Sequence, residues 1–397
     1  MPVPGFADME MGRGRSEGWF RDEVKRWFRI FASAGERNVN MNRPLQRCRA
    51  KSAGTRFHFV NPGAFEYCWH SPNQSSNMKA LLCFVTNLVL GSTLFATDLR
   101  IGIIGCDTSH VIAFTETLNN PDAPGHISGG KVIAAYKGGS KDIGASWSRV
   151  EQYSRTLQDK HGIIMYDTIE ELCRNVDAVL LESVDGRPHL NQAKPVLKAK
   201  KTLFIDKPMA GSLRDVAEIF DLAKEAKVPV FSSSSLRFAS NSVAVSRGSI
   251  GKVLYAETYG PSELEPHHPD LFWYGIHGVE ALFSVMGTGC QTVQRQETPD
   301  GKIEVVGIWA EGRKGVFRED KEFHGHAKGE KGEAAVGFFD GYTPLLVQIM
   351  KFFQTGVAPV KPEETLEMFA FMEGADESKR QGGAPVKISD VLKKNGR

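Results

Sequence analysis

From Leu99 onward the chain alternates short apolar runs with helical patterns, and this rhythm constrains the fold more than any single motif. The runs are "RIGIIG" (100–105), "KVIAAY" (131–136), "AVLLES" (178–183), "TLFID" (202–206) and "VPVFSS" (228–233). Between them lie "HVIAFTETLNN", "SWSRVEQYSRTLQDKHG", "TIEELCRN", "RPHLNQAKPVLKAK" and "SLRDVAEIFDLAKEAK", whose apolar positions recur at three and four. Strands separated by helices cannot pair as hairpins, so the pattern predicts a doubly wound parallel sheet with helices on both faces. After Phe238 the texture changes. "GKVLYAETYG", "GCQTVQRQETPDGKIEVVGIWAEGRKGVFRED" and "EAAVGFF" read as strands joined by tight turns, including Pro299-Asp300-Gly301. They predict a second, α+β domain with an open, mostly antiparallel sheet, closed by helices over "TPLLVQIMKFFQTG" and "EETLEMFAFMEGADESKRQG".

The N-terminal part is of another kind. Residues 1–77 mix Arg, Gly, Ser and isolated aromatics without sustained periodicity, and such a segment can barely bury a core. They carry 12 Lys and Arg against 7 Asp and Glu, about +5, which leaves about −3 for the remainder. The body thus lacks the electrostatic footprint of a nucleic-acid binder. "MKALLCFVTNLVLGSTLFATD", starting at Met78, has the three-part layout of a secretory signal peptide. Its apolar stretch of about 17 residues is short of the roughly 20 that span a bilayer. The expectation is a true start at Met78, an upstream extension over 1–77, a signal-like segment over 78–96 and an exported protein; without such a signal the protein would stay in the cytoplasm. The body divides into a first domain over 97–237 and a second over 238–397.

Only Cys106, Cys173 and Cys290 fall in the body, an odd number without C-x-x-C or zinc spacing. Neither a disulfide framework nor a structural metal is expected. The loop after the first strand run is "GCDTSH", where Gly-x-Gly-x-x-Gly would give a pyrophosphate room. Only Gly105 of the three glycines is present; Asp107 and His110 stand at the other two positions. A carboxylate facing a pyrophosphate in a low-dielectric crevice would repel it. It is tolerated if Asp107, Thr108 or Ser109 instead caps the following helix, whose first amides favour an anion. The segment Gly105, Cys106, Asp107, Thr108, Ser109 and His110 therefore reads as a modified dinucleotide loop. At the end of the second strand run, "AAYKGGSKD" has no acidic residue for the ribose hydroxyls of NAD. Lys137, Ser140 and Lys141 would instead suit the 2′-phosphate of NADP.

Three further motifs occur in order: "FIDKP", "YGIHGVEALFSVMG" and "VKPEETLEMFAFMEGADESKRQGGAPVKI". On these elements the chain resembles, over residues 99–391, the family of glucose-fructose oxidoreductase, inositol dehydrogenase and MocA. The resemblance implies an NAD(P)-dependent oxidoreductase acting on a secondary alcohol of a sugar, polyol or glycoside, assembled as a dimer or tetramer. In the family a Lys of Glu-Lys-Pro and a His of Gly-x-His-x-x-Asp flank the substrate carbon beside the nicotinamide. Lys207 and His277 match them and are the catalytic candidates. Alcohol oxidation removes a proton as well as a hydride, so a base must stand within reach of the hydroxyl. Asp206 replaces the usual Glu and is expected to orient Lys207. Ser183 and His189, in "ESVDGRPHLNQA", are candidates for lining the cofactor pocket, and Arg237 for facing substrate. The family's Asp four residues before the catalytic His is Trp273 here, so Asp270, His267 or His268 from "EPHHPD" is expected to take its place near substrate. The resemblance also admits members that cleave glycosides by transient oxidation. The degraded glycine loop keeps a non-catalytic nucleotide or sugar sensor open beside the enzyme.

Overall fold

The structure is a computed structural model and describes residues 98–397. The expectations for residues 1–77 and 78–96 lie outside the described residues. The first domain runs β1 (Leu99–Ile104), α1 (His110–Asn119), β2 (Gly130–Tyr136), α2 (Gly144–His161), β3 (Ile164–Met165), α3 (Ile169–Asn175), β4 (Ala178–Leu181), α4 (His189–Lys198), β5 (Thr202–Ile205), α5 (Leu213–Ala226) and β6 (Val230–Ser232). All strand pairs are parallel and their order is β3-β2-β1-β4-β5-β6. This is the doubly wound Rossmann order. Strand β3, two residues long, is too short to register as a run in the sequence.

Parallel strands covered on both faces are apolar throughout rather than alternating. Ile101 and Ile103 of β1 pack with Val111, Phe114 and Leu118 of α1, while Ile104 faces the opposite layer with Leu172 and Val196. Local signals seat the helices: Thr168 accepts from Glu171 N–H at the start of α3, and Ser212 from Asp215 N–H at the start of α5.

A 3-10 turn (Ser235–Phe238) and α6 (Ser240–Ser246) lead into the second domain: β7 (Val253–Gly260), α7 (Asp270–Trp273), α8 (Ile276–Met286), β8 (Cys290–Glu297), β9 (Ile303–Trp309), β10 (Lys314–Glu319), β11 (His324–Gly329) and β12 (Gly332–Ala335). The chain ends in α9 (Thr343–Thr355), α10 (Pro362–Arg380), β13 (Val386–Lys387) and α11 (Ile388–Lys394). The second sheet has the order β12-β11-β7-β10-β9-β8-β13. Its neighbours are antiparallel apart from the β7–β10 pair, which is parallel.

A single boundary at residue 237 does not describe the packing. Leu345, Leu346, Ile349, Met350, Phe352 and Phe353 of α9 are buried with Ile101, Phe204 and Phe231 of the first sheet. Helix α9 thus completes the first domain, whereas α10 returns to the second sheet through Phe369, Phe371 and Met372. Among the described residues no helix is long and apolar enough to cross a membrane.

Candidate active site

The loops leaving β1, β2, β4 and β5 converge with α8 at the C-terminal ends of the first sheet, where doubly wound folds place their ligands. Gly105 has φ +90°, and a Cβ there would meet Ser183 N and Oγ at 2.4 Å. Only glycine lets the β1 and β4 loops approach this closely. Helix α1 starts after Ser109 without a side-chain cap from that residue; the Val111 N–H is held only by the Thr108 carbonyl at 3.4 Å, a long bond that an external acceptor can replace. Ser109 is exposed there, and Thr108 Oγ1 accepts from His110 N–H at 3.4 Å.

Asp107 neither faces that helix end nor caps it. The carboxylate is fully buried and accepts from Ser146 Oγ at 2.6 Å and from Val184 N–H at 3.0 Å. Burial pushes its pKa up against these two bonds. An uncapped helix end beside Gly105, with the nearby carboxylate already turned onto other donors, fits a dinucleotide phosphate.

Just after β5, Asp206 and Lys207 are both buried. Asp206 Oδ1 accepts from the backbone N–H of Lys207 at 2.8 Å, and Oδ2 from His110 Nδ1 at 2.6 Å. Asp206 therefore orients Lys207 through its backbone rather than its ammonium, and fixes His110 as well. The Lys207 ammonium lies 5.8 Å from the centre of the Tyr274 ring. Burial lowers its pKa against the opposing pull of Asp206 and Glu182.

His277 reaches the same corner from α8. A Cβ on the adjacent Gly278 would meet the Phe317 ring at 2.3 Å, so glycine lets α8 press onto β10 and brings His277 to the cleft. Ser234 Oγ bonds His277 Nδ1 at 2.7 Å, and the Tyr274 and Phe323 rings stand edge-on at 5.3 and 5.6 Å. Burial, then the nearby Lys207 and His110, hold the imidazole pKa well below its ordinary value. Lys207 and His277 both lean toward neutral, as proton acceptors require.

Residues 99–234 match the family model described as "Oxidoreductase family, NAD-binding Rossmann fold". That model is the Gfo/Idh/MocA oxidoreductase family's, and the match covers the first domain of this chain. Solved structures share the fold across both domains. A probable dehydrogenase from Thermotoga maritima is 21% identical with a TM-score of 0.59, over 74% of this chain and 100% of that one. Myo-inositol dehydrogenase from Lactobacillus casei, in complex with NAD(H) and myo-inositol, is 15% identical with a TM-score of 0.59, over 73% and 97%. An oxidoreductase from Agrobacterium radiobacter, in complex with NAD+, L-tartaric acid and magnesium, is 16% identical with a TM-score of 0.57, over 74% and 100%. No curated protein sequence matches the chain.

Several candidates have structural duties instead. Arg237 is half-buried and pairs through Nε with Glu280 and through Nη1 with Glu364, at 2.7 and 2.6 Å, so its charge is already matched within the protein. Glu280, the last residue of "GIHGVE", also accepts from Ser233 Oγ and Ser234 N–H, so this network sets the serine that holds His277. His189 is fully buried and bridges the carbonyls of Ser183 and Met209, clasping the β4 and β5 loops rather than lining a pocket. Ser183 Oγ donates to Gln192 at 3.0 Å. Cys106 is a core residue; burial pushes its thiol up to about 12.

Asp270 does not replace the missing acid. It pairs with Arg295 and Lys379, each at 2.8 Å, away from His277. His268 is buried against Asp185 at 3.1 Å and Gly186 N–H at 3.2 Å, and packs on Trp273 at 5.1 Å. His267 pairs with Glu265 at 2.6 Å. On the β2 side, Lys137 pairs with Glu151 at 3.1 Å, Lys141 lies over Trp147, and Ser140 donates to Asp185. Sequence reasoning missed Glu182, Ser234, Glu280 and Tyr274. The signals were slight: an acid closing the apolar run "AVLLE", the third of four serines, and the acidic end of a quoted motif.

Proposed function

We propose that the protein transfers a hydride between a nicotinamide dinucleotide and a secondary alcohol of a sugar, polyol or glycoside. The observation that carries this reading is the approach of Lys207 and His277, two groups biased toward neutral, at the end of an NAD-binding Rossmann sheet. When bound, the nicotinamide supplies the hydride acceptor. Lys207 takes the hydroxyl proton as the C–O bond becomes a carbonyl, and His277, held by Ser234, donates to or accepts from the same oxygen. Tyr274 and Phe323 wall the corner and limit water. The neighbour that binds myo-inositol directs the substrate search to cyclic polyols first. A 2′-phosphate would meet Lys137 and Ser140 only after displacing Glu151 and Asp185, so NAD is the cofactor to test before NADP. The open second sheet is the face on which a dimer or tetramer would form.

The test is direct. The purified chain is offered NAD or NADP with a panel of inositols, aldoses and glycosides while reduced nicotinamide is followed by absorbance. Turnover of at least one polyol supports the reading. Binding of a dinucleotide without turnover of any alcohol would favour the sensor.

A further inference from the structure

Glu182 follows β4 beside Asp206 and opens the stretch "ESVDGRPHLNQA", where no role is assigned to it. It is fully buried, and neither carboxylate oxygen has a hydrogen-bond partner. A bare buried carboxylate is strongly disfavoured unless a proton or a cation neutralises it. Its oxygen lies 4.0 Å from His110 Nδ1, and the donor atoms of His110, Glu182 and Asp206 all fall within 4.8 Å of one another.

That cluster has the composition of a cation site, but two observations favour the proton. His110 Nδ1 faces the carboxylate of Asp206 at 2.6 Å and so already carries a hydrogen where a metal would need a lone pair. Asp206, the third member, is already engaged through both oxygens, by His110 Nδ1 and by the Lys207 N–H. Around Glu182 stand Asp206 and Lys207 from the β5 end, His110 from α1 and Asp107 from the β1 loop; Arg149 of α2 and His277 of α8 act on Lys207 or are acted on by it.

We propose that Glu182 rests as a neutral carboxylic acid, and that this neutrality leaves Lys207 free to act as a base. One carboxylate facing Lys207 orients it, whereas two would hold it as a permanent ammonium. Glu182 is on this view a positioning residue acting through Lys207. Burial and the neighbouring Asp206 raise its pKa well above the ordinary carboxylate value, in agreement. The role assigned to Lys207 rests on the dehydrogenase reading, but the protonation of Glu182 does not.

The experiment reads protonation first, without substrate. The infrared difference between the full-length protein and its Glu182→Gln variant at neutral pH should contain a protonated-carboxyl C=O band that shifts in D2O. Metal analysis should find no stoichiometric divalent ion. Absence of the band, or a stoichiometric metal lost in the variant, would overturn the proposal. If the variant does not fold, glutamate-specific 13C labelling of the unaltered protein reads the same band.

The second measurement is the pH dependence of Lys207 modification by an amine reagent, because Gln imitates the neutral acid. The titration should move by less than about half a unit between the two proteins, since no charge is removed. A fall of about one unit or more would mean that Glu182 had been ionised beside Lys207. Failure of the enzyme reading alone would leave the band in place and remove only turnover.

Discussion

Where the β4 loop meets the β1 and β2 loops the buried carboxylates are spent on donors: Asp107 on Ser146 and Val184, Asp185 on Ser140, Arg187 and His268. On the β4–β5 side Glu182 has no donor, Lys207 is buried and His277 half-buried, and charge is disfavoured on both. Both sides are equally dry, so burial alone does not separate them. What differs is satisfaction. A carboxylate with its full set of donors is scaffold, fixed in one ionisation state. Groups left short of partners change protonation state at little further cost, and that is the property acid-base chemistry needs.

The largest expected effect tests the unsatisfied side. Lys207→Met and His277→Ala should each lower turnover by at least about 10²-fold, the usual scale for acid-base groups. Dinucleotide affinity, followed by fluorescence titration, should barely move. The losses should not add in the double variant, because groups acting as a unit are not independent. Undiminished rates in both variants would remove the distinction between the two sides.

Asp107→Ala probes the satisfied side. It strands the Val184 N–H and Ser146 Oγ, and a buried group left unpaired costs about 1–3 kcal/mol. Urea denaturation should read that loss, without the gain in cofactor affinity expected of a carboxylate facing a pyrophosphate. A smaller effect lies between the sides. Ser234→Ala releases the His277 ring at the cost of one hydrogen bond, about 1 kcal/mol, or roughly fivefold in kcat with KM nearly constant.

The smallest effect is also the most discriminating, because the two sides should respond to pH in opposite senses. Burial alone would raise Asp185, but hydrogen bonds from His268, Arg187 and Ser140 override it and hold the carboxyl well below 3.8. Its stabilisation is therefore complete above that ordinary value and is lost as pH falls below it. Glu182 is shifted upward from 4.5. Its share is complete below that value and is lost as pH rises toward the folded pKa. Asp185→Asn should flatten the acid limb of a stability profile, and Glu182→Gln the limb on the neutral side. Flattening of the same limb in both would show that one side has been misassigned.

The alternation of runs made the parallel sheet legible, because strands buried on both faces must be apolar throughout and their intervening helices must be amphipathic. The motifs around Lys207 and His277 marked two residues that the fold brings to one corner. Sequence failed where partners are distant. Asp107 reads as a hazard to a phosphate until Ser146 and Val184, 39 and 77 residues on, are folded onto it. Arg237 reads as a free cation until Glu280 and Glu364 close on it. Asp270 lies near His277 in sequence, but α7 turns it toward Arg295 and Lys379. Glu182 was hidden for the opposite reason: its significance is a lack of partners, which no linear pattern displays.

Because α9 seals the first sheet while α10 goes back to the second, the polypeptide passes between the two halves three times. The β7–β12 segment is in effect a loop pinned at both roots. Severing the backbone once between residues 238 and 343 would not release either half, since each would still hold a piece of the other's interior. Opening of the cleft is thereby confined to a hinge with several parallel strings, and neither half is a free-standing module that could be exchanged intact for another.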